Sequence, residues 1–360
     1  MAAELSLRFI EVIRPSYTEE VIREVANSDG AWSVPDPILG VRGIPARSQQ
    51  VQNRDYAYRV ENDHLGFPNA EPWPEKVDLV FLGDSLLIGS GIGRERSFPA
   101  LVGQALPDLG VVNLGLPGAS PEHQLRIFER FVSPFRPRIV LACLWVASDI
   151  ENGRVFEAWL ATDRSRGYEE FRREVYPELQ REQAASIPSP PFRLKRFLWS
   201  LPYQTFLMRE ARYLLEPWQR GLVHEVTWQD GSRLVLERRK QLYLAETSIE
   251  GEAGAGIREV FFGPLEQLRR SVADSGGQMV VVLIPSKEEL FAAPDGPRVL
   301  RLVSQVRSQL TTMDLPVIDL YDPIRKEGER SAPYFPYDIH LNERGSRAAA
   351  AAIEAWLERR

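Results

Sequence analysis

A three-layer α/β sandwich with a five-stranded, mainly parallel sheet is the fold this 360-residue sequence predicts. Two observations carry that expectation. Short, near-continuous apolar runs alternate with longer amphipathic stretches, as in parallel strands covered on both faces by helices. The alternation stops near residue 151 and resumes near residue 258, so an insertion is expected to split the sheet.

Residues 1–75 open with "MAAELSLRFIEVIRPS", whose interleaved apolar and charged residues read as a short amphipathic helix. The prolines and glycines of "SVPDPILGVRGIPARSQQ" then favour an extended, wrapping segment over a regular element. "VDLVFL" is the first strand, followed by a helix through "SFPALVGQAL". "GVVNL" is the second, followed by "SPEHQLRIFERFV", which Ser120 opens as an N-cap. "RIVLACLW" is the third.

The insertion, 151–257, holds two helical patterns, "VFEAWLATDRSRGYEEFRREVYPEL" and "RLKRFLWSLPYQTFLMREARYLLE", joined by "SIPSPPF". It ends in "EVTWQDGSRLVLE", where Asp230-Gly231 joins two alternating runs as a hairpin. The helix "FFGPLEQLRRSVADSGG" then leads to strand "QMVVVLIPSK", and "PRVLRLVSQVRSQLTTM" to strand "PVIDL". A final helix, "NERGSRAAAAAIEAWLERR", closes the series. The predicted division is an N-terminal helix and wrapping segment over 1–75, a core over 76–150 and 258–360, and a cap over 151–257.

Composition removes several classes of function. The net charge is −6 with acids and bases interleaved, so no basic stripe is available to neutralise phosphates and no nucleic-acid partner is expected. The single cysteine, Cys143, lies in an apolar run and reads as a core residue; no intramolecular disulfide is possible. The sequence has no apolar run long enough to span a membrane, and its start lacks the layout of a signal peptide. The glycines after Ser85 fit neither G-x-G-x-x-G nor a Walker pattern, so no nucleotide cofactor is expected. His64, His123, His224 and His340 show no ligand spacing, so no metal is expected.

In an open α/β sheet, ligands bind at the carboxyl ends of the strands. Those ends carry Gly83-Asp84-Ser85, then Asn113 and Gly115, then Ser148 and Asp149, then Pro285-Ser286-Lys287. "PYDIHLNERG", with Asp338, His340 and Asn342, precedes the last helix. Serine, histidine and carboxylate thus fall on one edge. A serine hydroxyl needs a base to take its proton, histidine suits that role near neutral pH, and a carboxylate can orient the imidazole.

These blocks resemble those of the GDSL or SGNH hydrolases. In that family the nucleophile stands in a Gly-Asp-Ser block after the first strand, matching Ser85. "NLGLPG" matches the block that gives a glycine N–H to the oxyanion hole, assigned here to Gly115, and "YDIHLNERG" matches the block of base and orienter, His340 and Asp338. The resemblance covers about half the chain, 77–150 and 258–360, and extends weakly to "NDHLGFPN" and "DPILGVRG", which look like N-terminal segments of bacterial members. It implies a flavodoxin-like sandwich and a cofactor-free acyl-serine mechanism with an oxyanion hole of Ser85, Gly115 and Ser148. It also implies a small-molecule or carbohydrate ester as substrate. Relatives often carry a membrane anchor before a segment like "AELSLRFIE", which leaves an exported or tethered location open.

Two departures shape the expectation. Ser148 stands where the family's third block has an asparagine, so it is either a shorter oxyanion donor or a turn cap. The acid stands two residues before His340, where simple esterases use three, a spacing similar to the alginate O-acetyltransferase branch. Hydrolysis, O-acyl transfer to a polysaccharide, and a non-catalytic carbohydrate-binding or assembly role on the same scaffold all remain open. The other three histidines read as structural or solvent-facing, and Lys287 as a solvated loop lysine. Trp159, Trp199, Trp218 and Trp228 read either as packing of a cap or as a sugar-stacking platform.

Overall fold

The computed structural model describes residues 33–52, 55–183, 223–252, 254–291 and 300–360. Two antiparallel hairpins come first, β1 (Ser33–Asp36) with β2 (Gly40–Gly43) and β3 (Ser48–Gln52) with β4 (Ala57–Glu61). Here the expectation of an irregular wrapping segment is corrected. Most of the prolines and glycines that argued against regular structure sit at strand ends and in the intervening turns, where they punctuate the strands. The amphipathic stretch at the start of the chain lies outside the described residues.

The central sheet comprises β5 (Leu79–Gly83), β6 (Val111–Gly115) and β7 (Ile139–Leu144), completed by two strands from beyond the insertion. The insertion's hairpin is β8 (Val223–Thr227) with β9 (Arg233–Glu237), and the two completing strands are β10 (Gln278–Leu283) and β11 (Val317–Asp319). The order β6-β5-β7-β10-β11 is the flavodoxin-like order, and every neighbouring pair is parallel, so the sheet is wholly rather than mainly parallel. Val80, Phe81, Leu82, Leu141 and Val280–Val282 are all 0% exposed. That is why these strands read as unbroken apolar runs: both faces are covered.

One covering layer contains α1 (Phe98–Ala105), which packs on the closing helix; the other contains α2 (Pro121–Ile127) and α3 (Val146–Leu160). Ser120 caps α2 as expected, and His123 reciprocates by accepting from the Ser120 N–H at 3.1 Å. The predicted long helix of the insertion is two, α3 and α4 (Tyr168–Gln183). Asp163 breaks it by accepting from the Ser165 N–H and hydroxyl at 3.0 and 2.8 Å, a side chain competing with the helical ladder. The second helical pattern and "SIPSPPF" lie outside the described residues.

After the hairpin come α5 (Arg238–Glu246), α6 (Ala255–Asp274), α7 (Lys287–Phe291), α8 (Arg301–Thr312), α9 (Tyr321–Glu327) and α10 (Glu343–Leu357). The helix α6 packs on α2 and α3, and α10 packs on α1. Leu234 and Leu236 of β9 are 0% exposed and belong to the main core. The Val235 N–H donates to Pro336 O at 2.8 Å, which ties the hairpin to the loop before α10. No helix of the described residues is long and apolar enough to cross a membrane.

Candidate active site

The site starts at the end of β5. A side chain at Gly83 would meet Leu87 Cδ1 at 2.5 Å and Cys143 Cβ at 3.0 Å, so only glycine lets the chain fold back on itself here. The turn is fixed by Asp84, whose Oδ1 accepts from the Leu86 N–H at 3.0 Å, and by the Leu87 N–H to Asp84 O at 3.2 Å. Ser85 is left half-buried at its tip, with Oγ 2.8 Å from His340 Nε2.

His340 and Asp338 come from the loop before α10, and that loop is held on several sides. The Phe335 N–H donates to His340 O at 3.1 Å, and Asn342 caps α10 by accepting from the Arg344 and Gly345 N–H groups at 2.9 and 3.2 Å. Beneath the loop, the Lys287 ammonium donates to Pro336 O, Tyr337 O and Asp338 O at 3.2, 3.1 and 2.9 Å. Asp55 Oδ2 accepts from the Tyr337 and Asp338 N–H groups at 2.8 and 2.6 Å. The carbonyls and N–H groups around Asp338 thus meet side chains of opposite character.

The two-residue spacing lets one carboxylate serve its histidine twice. Asp338 Oδ1 accepts from the His340 N–H at 2.9 Å and is paired with His340 Nδ1. Its Oδ2 accepts from the Tyr56 hydroxyl at 2.9 Å. Burial alone would raise the Asp338 pKa, but the imidazole and these donors outweigh it and hold the carboxyl well below the usual range. Burial alone would lower the His340 pKa, and the Asp338 carboxylate reverses this to a net rise. Two further carboxyls lie close by. Burial pushes Asp84 up to about 6, and burial together with Asp84 pushes Asp149 well above its ordinary value.

Ser85 lines a cavity of about 200 Å³ together with Gly118, Ser148 and Asn152. Ser148 is half-buried in the first turn of α3, which begins at the end of β7 and is fixed by the Trp145 N–H donating to Asp149 Oδ2 at 2.8 Å. Glu151, Glu237, Lys240 and Arg172 add charge to the walls, and Lys240 Nζ lies 4.5 Å over the Trp145 ring.

The assignment of Gly115 is corrected by this geometry. Its N–H donates to Asn113 Oδ1 at 3.0 Å, and Gly115 does not line the cavity that holds Ser85. Gly118, three residues on, does line it, and among the described residues nothing accepts from its N–H. Its φ of +73° turns the chain sharply, a backbone that suits glycine. Asn113 two residues before Gly115 was the available signal, since a side chain in that position commonly bonds the backbone two residues on.

Lys287 is also corrected: it is 1% exposed and supports the loop before α10 from beneath. His123 is buried against Phe156 with ring centroids 3.7 Å apart, and burial takes its pKa down to about 3. His64 pairs with Glu71 at the surface, and the His224 side chain lies outside those described. Asp63 lies near that pair, but its oxygens already accept from Leu65, Phe67, Asn69 and Trp73. Trp159 is buried in a cluster with Phe156 and Tyr168, and Trp228 packs on Phe291, so these two are packing residues. Trp199 and Trp218 lie outside the described residues.

Residues 241–360 match a family model described as SGNH hydrolase-like domain, acetyltransferase AlgX. No curated protein matches the chain. Among solved structures, a member of the lipolytic protein G-D-S-L family from Veillonella parvula is 12% identical, covering 79% of this chain and 100% of its own, with a TM-score of 0.40. The lipase/acylhydrolase from Enterococcus faecalis is 14% identical, covering 78% and 95%, with a TM-score of 0.39. The psychrotrophic esterase EstA from Pseudoalteromonas sp. is 10% identical, covering 78% and 98%, with a TM-score of 0.35. Likenesses this distant carry no functional argument.

Proposed function

We propose that the chain is an acyl-serine enzyme of the SGNH hydrolase type, acting on ester bonds of an acylated carbohydrate or a similar small ester, a reading that the family match over residues 241–360 supports. The observation that carries the reading is the continuous relay from Ser85 Oγ through His340 to Asp338 and Tyr56. Ser85 Oγ attacks the ester carbonyl carbon while its proton passes to His340 Nε2. Asp338 holds the imidazole with Nδ1 protonated and stabilises the imidazolium that forms. The ester C–O bond then breaks, the leaving alcohol takes the proton from His340, and the acyl group remains on Ser85.

A second nucleophile completes the cycle. Its proton goes to His340, its oxygen bonds the acyl carbon, and Ser85 leaves with the proton. Water gives hydrolysis. A sugar hydroxyl gives O-acyl transfer, which the polar, charged cavity walls and the description of the matching family model favour as a second reading. The test is the intact mass after exposure to a serine-directed fluorophosphonate, with peptide mapping. One adduct on Ser85, absent in Ser85→Ala and strongly slowed in His340→Ala, is the expected result. A protein that takes no adduct at any pH would be a binding or assembly protein.

A further inference from the structure

Ser148 leaves the oxyanion site without the asparagine that the SGNH resemblance implies, yet the same helix offers an amide one turn on. Asn152 follows Ser148 by four residues on α3, which places the two on one helix face, and both line the cavity that holds Ser85. Asn152 is 3% exposed, and among the described residues nothing donates to or accepts from its side chain. Its amide atoms are not fully enclosed, so they open onto the cavity, where an occupant can take up their hydrogen bonds.

The surroundings favour an occupant that gains negative charge. Gly118, with its unspent N–H, lines the same cavity. The Arg172 guanidinium reaches within 3.0 Å of where a Cβ on Gly118 would stand, which brings positive charge to that corner. The neighbouring side chain on the helix, Glu151, also lines the cavity, but a carboxylate has no proton to donate. Asn152, by contrast, is neutral and carries two N–H donors.

We propose that Asn152 is the side-chain donor of the oxyanion hole, acting with the N–H groups of Ser85 and Gly118 in place of the missing asparagine. The proposal rests on the acyl-serine reading above. When Ser85 Oγ bonds the carbonyl carbon, the π electrons move onto the carbonyl oxygen, and Asn152 Nδ2 donates to that oxyanion. When the tetrahedral species collapses, the C=O bond re-forms as the ester C–O bond breaks, and the donation weakens. Ser148 is then a lining residue.

The experiment measures steady-state hydrolysis of p-nitrophenyl acetate and the rate of Ser85 phosphonylation in wild type, Asn152→Ala, Asn152→Asp, Ser148→Ala and Ser148→Asn/Asn152→Ala. Loss of one such donor lowers kcat by about 100-fold or more, so both Asn152 variants should fall by that much with KM little changed. Phosphonylation should slow in parallel, Ser148→Ala should lose far less, and Ser148→Asn should rescue Asn152→Ala. Asn152→Asp preserves shape, so its thermal midpoint separates a lost donor from a lost fold. Unchanged kcat in a folded Asn152→Asp, with Ser85 still labelled, would overturn the role of Asn152 and leave the nucleophile standing. Wild type that never labels at Ser85 would overturn both.

Discussion

Lys287→Met removes the support of the loop that carries Asp338 and His340 while keeping most of the side-chain volume. The ammonium has three N–H donors and spends all three, on Pro336, Tyr337 and Asp338. Hydrogen bonds to a charged group contribute about 1.5–3 kcal/mol each, so the three amount to about 4.5–9 kcal/mol in all. Against this stands the desolvation of a lysine that is 1% exposed, whose pKa is lowered by that burial. Such a penalty is several kcal/mol per ion, which leaves a net loss of about 2–4 kcal/mol for Lys287→Met. The same change frees Asp338 from below, and a displacement of about 1 Å at a reacting group costs about 100-fold in rate. Urea unfolding gives the first quantity, and kcat on p-nitrophenyl acetate gives the second. A variant with the wild-type midpoint and wild-type kcat would refute the claim that Lys287 holds the loop.

Two further outcomes concern the titrating groups. His340 must be neutral to act as base and its pKa is raised, so the acid limb of kcat/KM should lie above the ordinary histidine value of about 6.5. Asp338→Asn removes the carboxylate that raises it and leaves the burial that lowers it, so the limb should move to lower pH; a limb that stays in place would refute this account. Asp149 keeps its proton in the folded protein where the unfolded chain loses it near pH ~4, so its contribution to stability is lost as pH rises from there to the folded pKa. Asp149→Asn can still accept from the Trp145 N–H, and it should unfold at higher urea than wild type at pH 8. A variant less stable than wild type at that pH would contradict it.

The sheet and the three residues of the relay were legible because each is written locally. The apolar runs mark buried parallel strands, and Ser85, Asp338 and His340 stand in short blocks beside them. The supports were not legible, because their contacts join distant parts of the chain. Tyr56 reaches Asp338 across 282 positions and Lys287 across 51, and no local spacing encodes either. Asp55 and Tyr56 also lie between the short strands β3 and β4, far from any of the blocks at the sheet edge. Gly115 and Gly118 share one short segment, and what separates them is where the Asn113 side chain bonds. That detail is local but secondary to the block itself.

Ser85 and His340 are 255 residues apart, and β5, which ends two residues before Ser85, lies inside the sheet with β6 and β7 on either side. Such a pair meets only after a long stretch of chain has closed, an entropic cost that grows with the length between them. As the chain emerges during synthesis, Ser85 therefore appears long before the imidazole that can take its proton. Its hydroxyl stays as unreactive as any other serine through that interval. In the proposed mechanism, acyl chemistry begins only when the loop before α10 has docked, so a half-folded chain would not acylate itself at a site that has no way to pass the acyl group on.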